Sequence, residues 1–325
     1  MEKIRIGILG AGGIANTLTA VIGRMDEAAV TAVAARDYDR AKEFAAKYGF
    51  EKAYGSYEEL AADDGLDLIY IATPHSHHYE HMKLCLAHGK NILCEKAFTA
   101  NAGQAREIIE MAKAQGVLLM EAIWTRYFPQ LQTLRELLAG GAIGQVESVE
   151  ASLGNNLRGW ARLDEPKLAG GALLDMGVYA LTFASMVLGD QVEGFDVVAK
   201  MSEKGVDLQD SITLRYKNGS MAVLHCSMES MLMTQGLISG QQGLILIDEF
   251  NHWKKMTVYN KQKEITAVYE KEAGIRGYEY EIQETCRCLR EGLLESPLMP
   301  LQETLRIMEL MDAIRAKLGM KYPFE

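Results

Sequence analysis

Ile4-Arg5-Ile6-Gly7-Ile8-Leu9-Gly10-Ala11-Gly12-Gly13-Ile14-Ala15 decides the fold. An apolar run short enough to be a buried strand leads into G-x-G-x-x-A, and the amphipathic stretch Ile14 to Met25 then reads as a helix. Gly10 permits the tight turn, Gly12 lets a pyrophosphate approach the backbone, and Ala15 lets helix and strand pack closely. Phosphates then meet the helix N-terminus, with Gly13 and Ile14 completing the lining. Taken alone, such a turn is only a strand-to-helix connection. The second strand at the right distance, Val30 to Ala35, makes it a dinucleotide motif. Working outward, apolar runs at Leu66 to Ala72, Asn91 to Glu95 and Val117 to Met120 alternate with helical segments at Arg40 to Tyr48, His78 to His88 and Ala105 to Gln115. Short buried strands separated by helices specify an α/β, Rossmann-type doubly wound parallel sheet, expected over residues 1–122.

After Trp124 the pattern changes. Helices at Leu131 to Leu138 and Leu173 to Leu188 flank a strand at Val146 to Leu153, and from Gly194 to Tyr269 strands follow one another with turn signals at Lys204-Gly205, Lys217-Asn218-Gly219, Ser239-Gly240 and Gln242-Gly243. Two helices close the chain, Tyr278 to Leu294 and Leu301 to Leu318. The expected second domain, residues 123–325, is α+β with an open, mainly antiparallel sheet, and its terminal helices are free to pack back on the first domain.

With 325 residues, two cores are the default, and 48% hydrophobic content supplies them. A net charge of -10 argues against nucleic acid or an anionic membrane surface as partner. Cys85, Cys94, Cys226, Cys286 and Cys288 are odd in number and lie in apolar or helical runs, unlike a secreted disulfide framework. No signal-peptide pattern precedes Ile4, and no apolar run reads as approaching a membrane span. A cytoplasmic protein is expected. Leu214, Met221, Val223, Met228, Met231, Leu232, Met233, Leu237, Ile245 and Ile247 together offer more apolar surface than a monomer usually exposes, so a homodimer through the second sheet is expected.

Several residues carry chemistry. Where an NAD enzyme places an acid on the ribose, the chain reads Ala34-Ala35-Arg36-Asp37. Arg36 suits a 2'-phosphate and favours NADP over NAD; the alternative makes Asp37 the ribose ligand. Thr73-Pro74-His75-Ser76-His77-His78 follows a strand at the carboxyl edge. Its histidines find no cysteine or carboxylate cluster to complete a shell, so no metal is expected. Glu95 and Lys96 end the next strand. Asp175 and Tyr179 are one helical turn apart, and Gly170-Gly171 before them permit close backbone approach, read here as approach to a ligand. Trp124, Arg126, Tyr127 and Phe128 lie at the domain crossover, as sugar-facing groups or as a hinge core; Arg158 and Arg162 lie in a glycine-flanked loop as candidate substrate-facing groups.

Leu93-Cys94-Glu95-Lys96 and Gly170-Gly171-Ala172-Leu173-Leu174-Asp175-Met176-Gly177-Val178-Tyr179, in this order after the glycine motif, resemble the glucose-fructose oxidoreductase, inositol dehydrogenase and MocA (Gfo/Idh/MocA) family. The tyrosine four residues after the aspartate is similar to the dimeric dihydrodiol dehydrogenase and NADP-dependent D-xylose dehydrogenase branch, as are Glu121 to Pro129, Arg162 to Pro166 and the ending Gly319 to Glu325. The resemblance implies an NAD(P)-dependent oxidoreductase acting on a sugar, polyol or trans-dihydrodiol. It implies Lys96, Asp175 and Tyr179 as the catalytic set, and Thr73, Pro74, His75, His78 and Glu95, with Trp124 and Arg126, along the cofactor. Tyr179 would exchange the hydroxyl proton while the Lys96 ammonium favours its phenolate. One departure stands out: the family writes Glu-Lys-Pro, and Ala97 replaces the proline, so a cis bond would cost about 3 kcal/mol there and a trans bond with a different Lys96 pose is open. Two other readings stay open, a biliverdin-reductase-like reductase of another ring and a non-catalytic dinucleotide sensor. A sensor has no need of lysine, aspartate and tyrosine together.

Overall fold

The computed structural model describes residues 2–271 and 274–325 and divides them into two compact units, residues 1–127 with 274–309 and residues 128–273 with 310–325. The division falls after Tyr127 because the crossover is tied into the first unit: Tyr127 Oη donates to the Glu121 carbonyl (2.7 Å) and Arg126 Nε to the Leu298 carbonyl (3.1 Å).

In the first unit, β1 (Ile4–Leu9), α1 (Gly13–Ile22), β2 (Ala28–Ala34), α2 (Tyr38–Tyr48), β3 (Lys52–Tyr54), α3 (Tyr57–Ala61), β4 (Leu68–Ile71), α4 (His75–Ala87), β5 (Ile92–Glu95), α5 (Ala102–Gln115) and β6 (Leu119–Ala122) follow one another. The strands make a six-stranded parallel sheet in the order β3-β2-β1-β4-β5-β6. β4, β5 and β6 are buried at every position, as strands covered on both faces must be. The order reverses between β1 and β4, the switch point beyond whose carboxyl ends ligands bind in such sheets. β3 and α3 escaped the sequence reading because they are only 3 and 5 residues long. What stabilises α3 is a capping box, with Glu59 N–H donating to Ser56 Oγ and Glu59 Oε2 accepting from Ser56 N–H.

The second unit contains α6 (Gln130–Ala139), β7 (Val146–Gly154), the short α7 (Ala161–Asp164), a π-helical turn (Leu173–Gly177) running directly into α8 (Val178–Leu188), and strands β8 (Val192–Met201), β9 (Asp207–Tyr216), β10 (Met221–Ser227), β11 (Gln235–Gly240), β12 (Gly243–Asp248), β13 (Lys255–Asn260) and β14 (Ile265–Glu270). These make an eight-stranded sheet, β14-β13-β12-β11-β7-β10-β9-β8, antiparallel except where β7 meets β10. α9 (Glu279–Glu291) belongs to the first unit, while α10 (Leu301–Lys317) contributes residues to both.

Two expectations are corrected here. The run Pro166–Leu188 is long and apolar enough to span a membrane by length and composition, but 78% of its most apolar stretch is buried, packed over β7 and β10, so its apolarity belongs to the core. The residues expected to form one apolar sheet face are split by strand alternation. On the strands Leu214, Ile245 and Ile247 are buried whereas Met221 and Val223 are exposed; Met228, buried, and Met231 and Met233, exposed, lie in the connection between β10 and β11. Strand register, invisible in composition, decides which side each strand residue takes.

Phe183 of α8 anchors this core. Its ring sits 5.0 Å from Phe250 and 6.4 Å from Trp253, and a Cβ at Gly236 of β11 would meet it at 2.6 Å. Phe183→Ala is expected to lower the unfolding free energy by about 3–5 kcal/mol, the cost of a large aromatic cavity, read from urea denaturation.

Candidate active-site residues

The glycine turn is built as the motif requires. Gly10 takes φ +107°, and a Cβ there would meet the Ala72 carbonyl oxygen and Thr73 Cγ2 at 3.0 Å, so the ends of β1 and β4 touch only because this residue has no side chain. Gly12 precedes α1 with no side-chain cap, the first turn holds no acidic residue, and Gly13 has open space around its Cβ position. The free amides suit an anion such as a pyrophosphate. Ala15 is fully buried against the sheet.

Asp37 and Arg36 separate cleanly. Asp37 Oδ1 accepts from Asp39 N–H (3.0 Å) and Arg40 N–H (3.4 Å), capping α2, while Arg36 is exposed. Around Arg36 stand groups that the sequence reading left out. The Arg36 guanidinium lies against the Tyr57 hydroxyl, whose ring packs edge-on against His81 at 4.6 Å. Arg40, one turn beyond Arg36, donates to the Ala11 carbonyl inside the glycine turn (2.7 Å). His81 pairs with Thr73 Oγ1 at 2.9 Å, and burial pushes its pKa down to about 4, helped by His77, His78 and Arg36. It is neutral at physiological pH. The spacing of Arg36 and Arg40 was the available signal.

His78 is fully buried and bridges two turns, with Nδ1 2.9 Å from the Ala97 carbonyl oxygen and Nε2 2.8 Å from that of Thr73. Burial lowers its pKa, so the neutral ring donates to one of the two. Pro74 starts α4, and the His75 ring packs edge-on to His78 at 5.9 Å. The Lys96–Ala97 peptide, left open by the sequence, is cis; Ala97 is fully buried and its carbonyl is the one paired with His78. Lys96 itself is half-buried at the carboxyl end of β5. Behind it, Glu95 accepts a short hydrogen bond from the buried Tyr70 hydroxyl, and burial plus the Glu95 charge push the pKa of fully buried Glu281 well up, leaving a neutral acid. Trp124 stacks face to face on Tyr278 at 4.3 Å, and Trp124, Arg126 and Tyr127 are all buried within this unit.

In the second unit, Asp175 and Tyr179 are 6% and 8% exposed. They do not share a plain α-helical turn, because residues 173–177 wind as a π-turn before α8 begins, a widening that recurs at functional sites. Arg162 Nη1 donates to Asp175 Oδ1 at 2.8 Å and so holds the carboxylate. Arg158 is spent on Asp164 (3.1 Å) and Glu229 (2.9 Å). Phe128 is buried under the Lys271 ammonium, 4.7 Å from the ring centroid. Gly170 and Gly171 leave room for the protein itself, correcting the ligand-approach reading. Cβ atoms there would lie 2.2 Å from the Leu163 carbonyl oxygen and 2.0 Å from Asp207 Oδ1.

The same arrangement of parts occurs in known proteins. A model of the oxidoreductase family with an NAD-binding Rossmann fold matches residues 4–123, and one of the GFO/IDH/MocA C-terminal domain matches residues 131–246. Over 98% of its length the chain is similar to trans-1,2-dihydrobenzene-1,2-diol dehydrogenase of Mus musculus, 40% identical over 327 residues, and of Homo sapiens, 38% identical over 328 residues, covering 98% of each relative. Among solved structures it is similar to KijD10, a 3-ketoreductase from Actinomadura kijaniata in complex with NADP and TDP-benzene, with 27% identity, a TM-score of 0.88, and coverage of 97% of this chain and 98% of that one. A glycine turn at the switch point, a lysine closing β5 and an aspartate and tyrosine on one helical segment thus sit inside matches that run almost end to end: the chain belongs to the Gfo/Idh/MocA family of oxidoreductases.

Proposed function

We propose that the protein is an NADP-dependent dehydrogenase that moves a hydride between the nicotinamide and a hydroxyl-bearing carbon of a sugar, polyol or trans-dihydrodiol. The observation that carries this reading is the presence, in one chain with an open dinucleotide turn, of Lys96 at the end of β5 and of Asp175 and Tyr179 on one buried helical segment. A binding-only protein needs the turn and none of the three. NADP is favoured over NAD because Asp37 is committed to capping α2 while Arg36 stays exposed. The diol dehydrogenase relatives and the NADP-bound ketoreductase support both the chemistry and the cofactor.

When bound, NADP accepts or supplies the hydride. The residues supply the proton and the charge. In the oxidation direction Tyr179 Oη takes the substrate hydroxyl proton. The Lys96 ammonium stabilises the developing negative charge on the substrate oxygen. Asp175, oriented by Arg162, accepts a hydrogen bond from the substrate. Gly10, Gly12, Gly13, Ile14 and Ala15 would receive the pyrophosphate, and Thr73, Pro74, His75, His78 and Glu95 would line the dinucleotide.

A cytoplasmic location fits five cysteines that are all buried and unpaired. Homodimerisation through the uncovered face of the second sheet fits the exposed Val198, Met221, Val223 and Val268. Light scattering at micromolar concentration should return twice 36.0 kDa; the monomer mass would contradict the dimer.

Arg36→Ala should raise KM for NADP while leaving KM for NAD nearly unchanged, since only NADP carries the phosphate. Equal losses for both cofactors would remove Arg36 from the assignment. On the best substrate from a panel of pentoses, hexoses, inositols and trans-dihydrodiols, Tyr179→Phe should lower turnover by about 10² or more with NADP affinity retained. Lys96→Met should cost at least as much, because it removes the stabilisation of charge on the substrate oxygen. Full activity in Tyr179→Phe would send the proton elsewhere.

A further inference from the structure

We propose that Asp207 and Asp210 share one proton and, as a pair, position the helical turn that carries Asp175 and Tyr179. The inference rests on the catalytic assignment of those two residues. Its structural part stands without it.

The geometry begins with a bulge. Opposite Lys200 and Met201 of β8, β9 steps from Gln209 to Asp207, so one extra residue, Leu208, breaks the two-residue alternation. Asp210, Ile212, Leu214 and Tyr216 keep the inward face, and the bulge brings Asp207 inward as well, so both aspartates are 0% exposed. Asp207 Oδ2 then accepts from the backbone N–H of Leu173 at 2.5 Å, and the Ala172 N–H bonds the same carboxylate. These amides open the π-turn and α8 and have no partner inside the helix. Ala172, at the capping position, has no side chain able to cap them. The cap therefore comes from a strand 34 residues further along the chain. An anion at the positive end of a helix is stabilised there.

The other oxygens explain the second aspartate. Asp207 Oδ1 and Asp210 Oδ1 are both buried without a donor from the protein, although the two carboxyls lie within hydrogen-bonding reach of each other. Two ionised carboxylates so placed would repel. One proton between them satisfies both orphaned oxygens and leaves a single negative charge. Asp210 holds that proton: burial, and then the Asp207 charge, raise its pKa to about 9. The surrounding titratable groups supply no balancing cation. Cys226 of β10 donates its thiol to Asp210 Oδ2 (3.4 Å) and is kept neutral by burial and by both aspartates. Burial likewise raises the pKa of Tyr322, whose hydroxyl donates to the Gly170 carbonyl, and the Arg315 guanidinium over its ring is spent on Asp312 and Glu325. Among the described residues no lysine or arginine bonds either carboxyl. Gly171, at φ +123°, is glycine because Asp207 Oδ1 occupies the space its Cβ would take.

Hydrogen exchange, steady-state kinetics and urea unfolding on the full-length protein test the proposal. In Asp207→Asn the charge is lost while the shape is kept. Amide exchange across residues 170–179 should accelerate at least tenfold, and kcat on the best diol or sugar should fall by 10-fold or more with the NADP dissociation constant unchanged. Accelerated exchange with kcat unchanged would uphold the positioning and overturn the catalytic assignment instead. Unchanged exchange would overturn the positioning. Asp210→Asn, whose amide N–H replaces the shared proton, should keep the turn protected. Because the folded pKa of Asp210 lies above its unfolded value, its contribution to stability is complete at low pH and declines as pH rises toward about 9. The urea midpoint should therefore fall from pH 5 to pH 8 in the wild type and fall less in Asp210→Asn. Equal falls would overturn the shared proton.

Discussion

The first amide N–H groups of a helix have no partner within it, and how each helix of this chain disposes of them separates its scaffold from its chemistry. α2 is capped by Asp37, α3 by Ser56 with Glu59, and α5 by Asn101, all from the residue just before the helix. Those ends are closed. α1 and α4 begin at Gly12 and Pro74 with no side-chain cap, at the carboxyl edge of the sheet beside the switch point, and the first turn of α1 is left open to an anion. Because Asp37 is consumed by α2, the position after β2 presents an exposed Arg36 rather than a free acid.

The π-turn leading into α8 is the exception that explains the second unit. It is neither self-capped nor left open, and its amides are met by Asp207 from a bulge in β9. Burying a carboxylate is costly unless hydrogen bonds and helix amides compensate, and here both do. The same segment is almost wholly buried from Leu173 to Ala184, with Phe183 packed against Phe250 and Trp253. A segment held at one end by an anion and along its length by packing can keep Asp175 and Tyr179 in fixed directions.

The first unit shows a related economy at the end of β5. Tyr70, Glu95 and Glu281 are buried together directly behind Lys96, and the neutral state of Glu281 avoids a second anion beside Glu95. His78, between the Thr73 and Ala97 carbonyls, ties the turn after β4 to the turn after β5. The turns after β4 and β5 at the carboxyl edge of the sheet are therefore linked to one another.

Much of this was legible in the sequence because its signals are local. The strand-turn-helix of Ile4 to Ala15, the alternation of short apolar runs with helices, and the hairpin turns between Gly194 and Tyr269 each depend on residues within about one element's length, where period and glycine placement are decisive. Lys96, Asp175 and Tyr179 were legible as motif positions for the same reason. Other features depend on which residues meet across long separations. Only the tertiary structure decided that Asp37 caps while Arg36 stays exposed, and that Met221 and Val223 face outward while Leu214 and Ile245 face inward. It alone decided that Gly171 makes room for Asp207 rather than for a ligand, and that Asp207 and Asp210 share one buried site. Strand register, a one-residue bulge and the burial of a carboxyl are set by pairing and packing between distant segments, and local sequence carries no record of them.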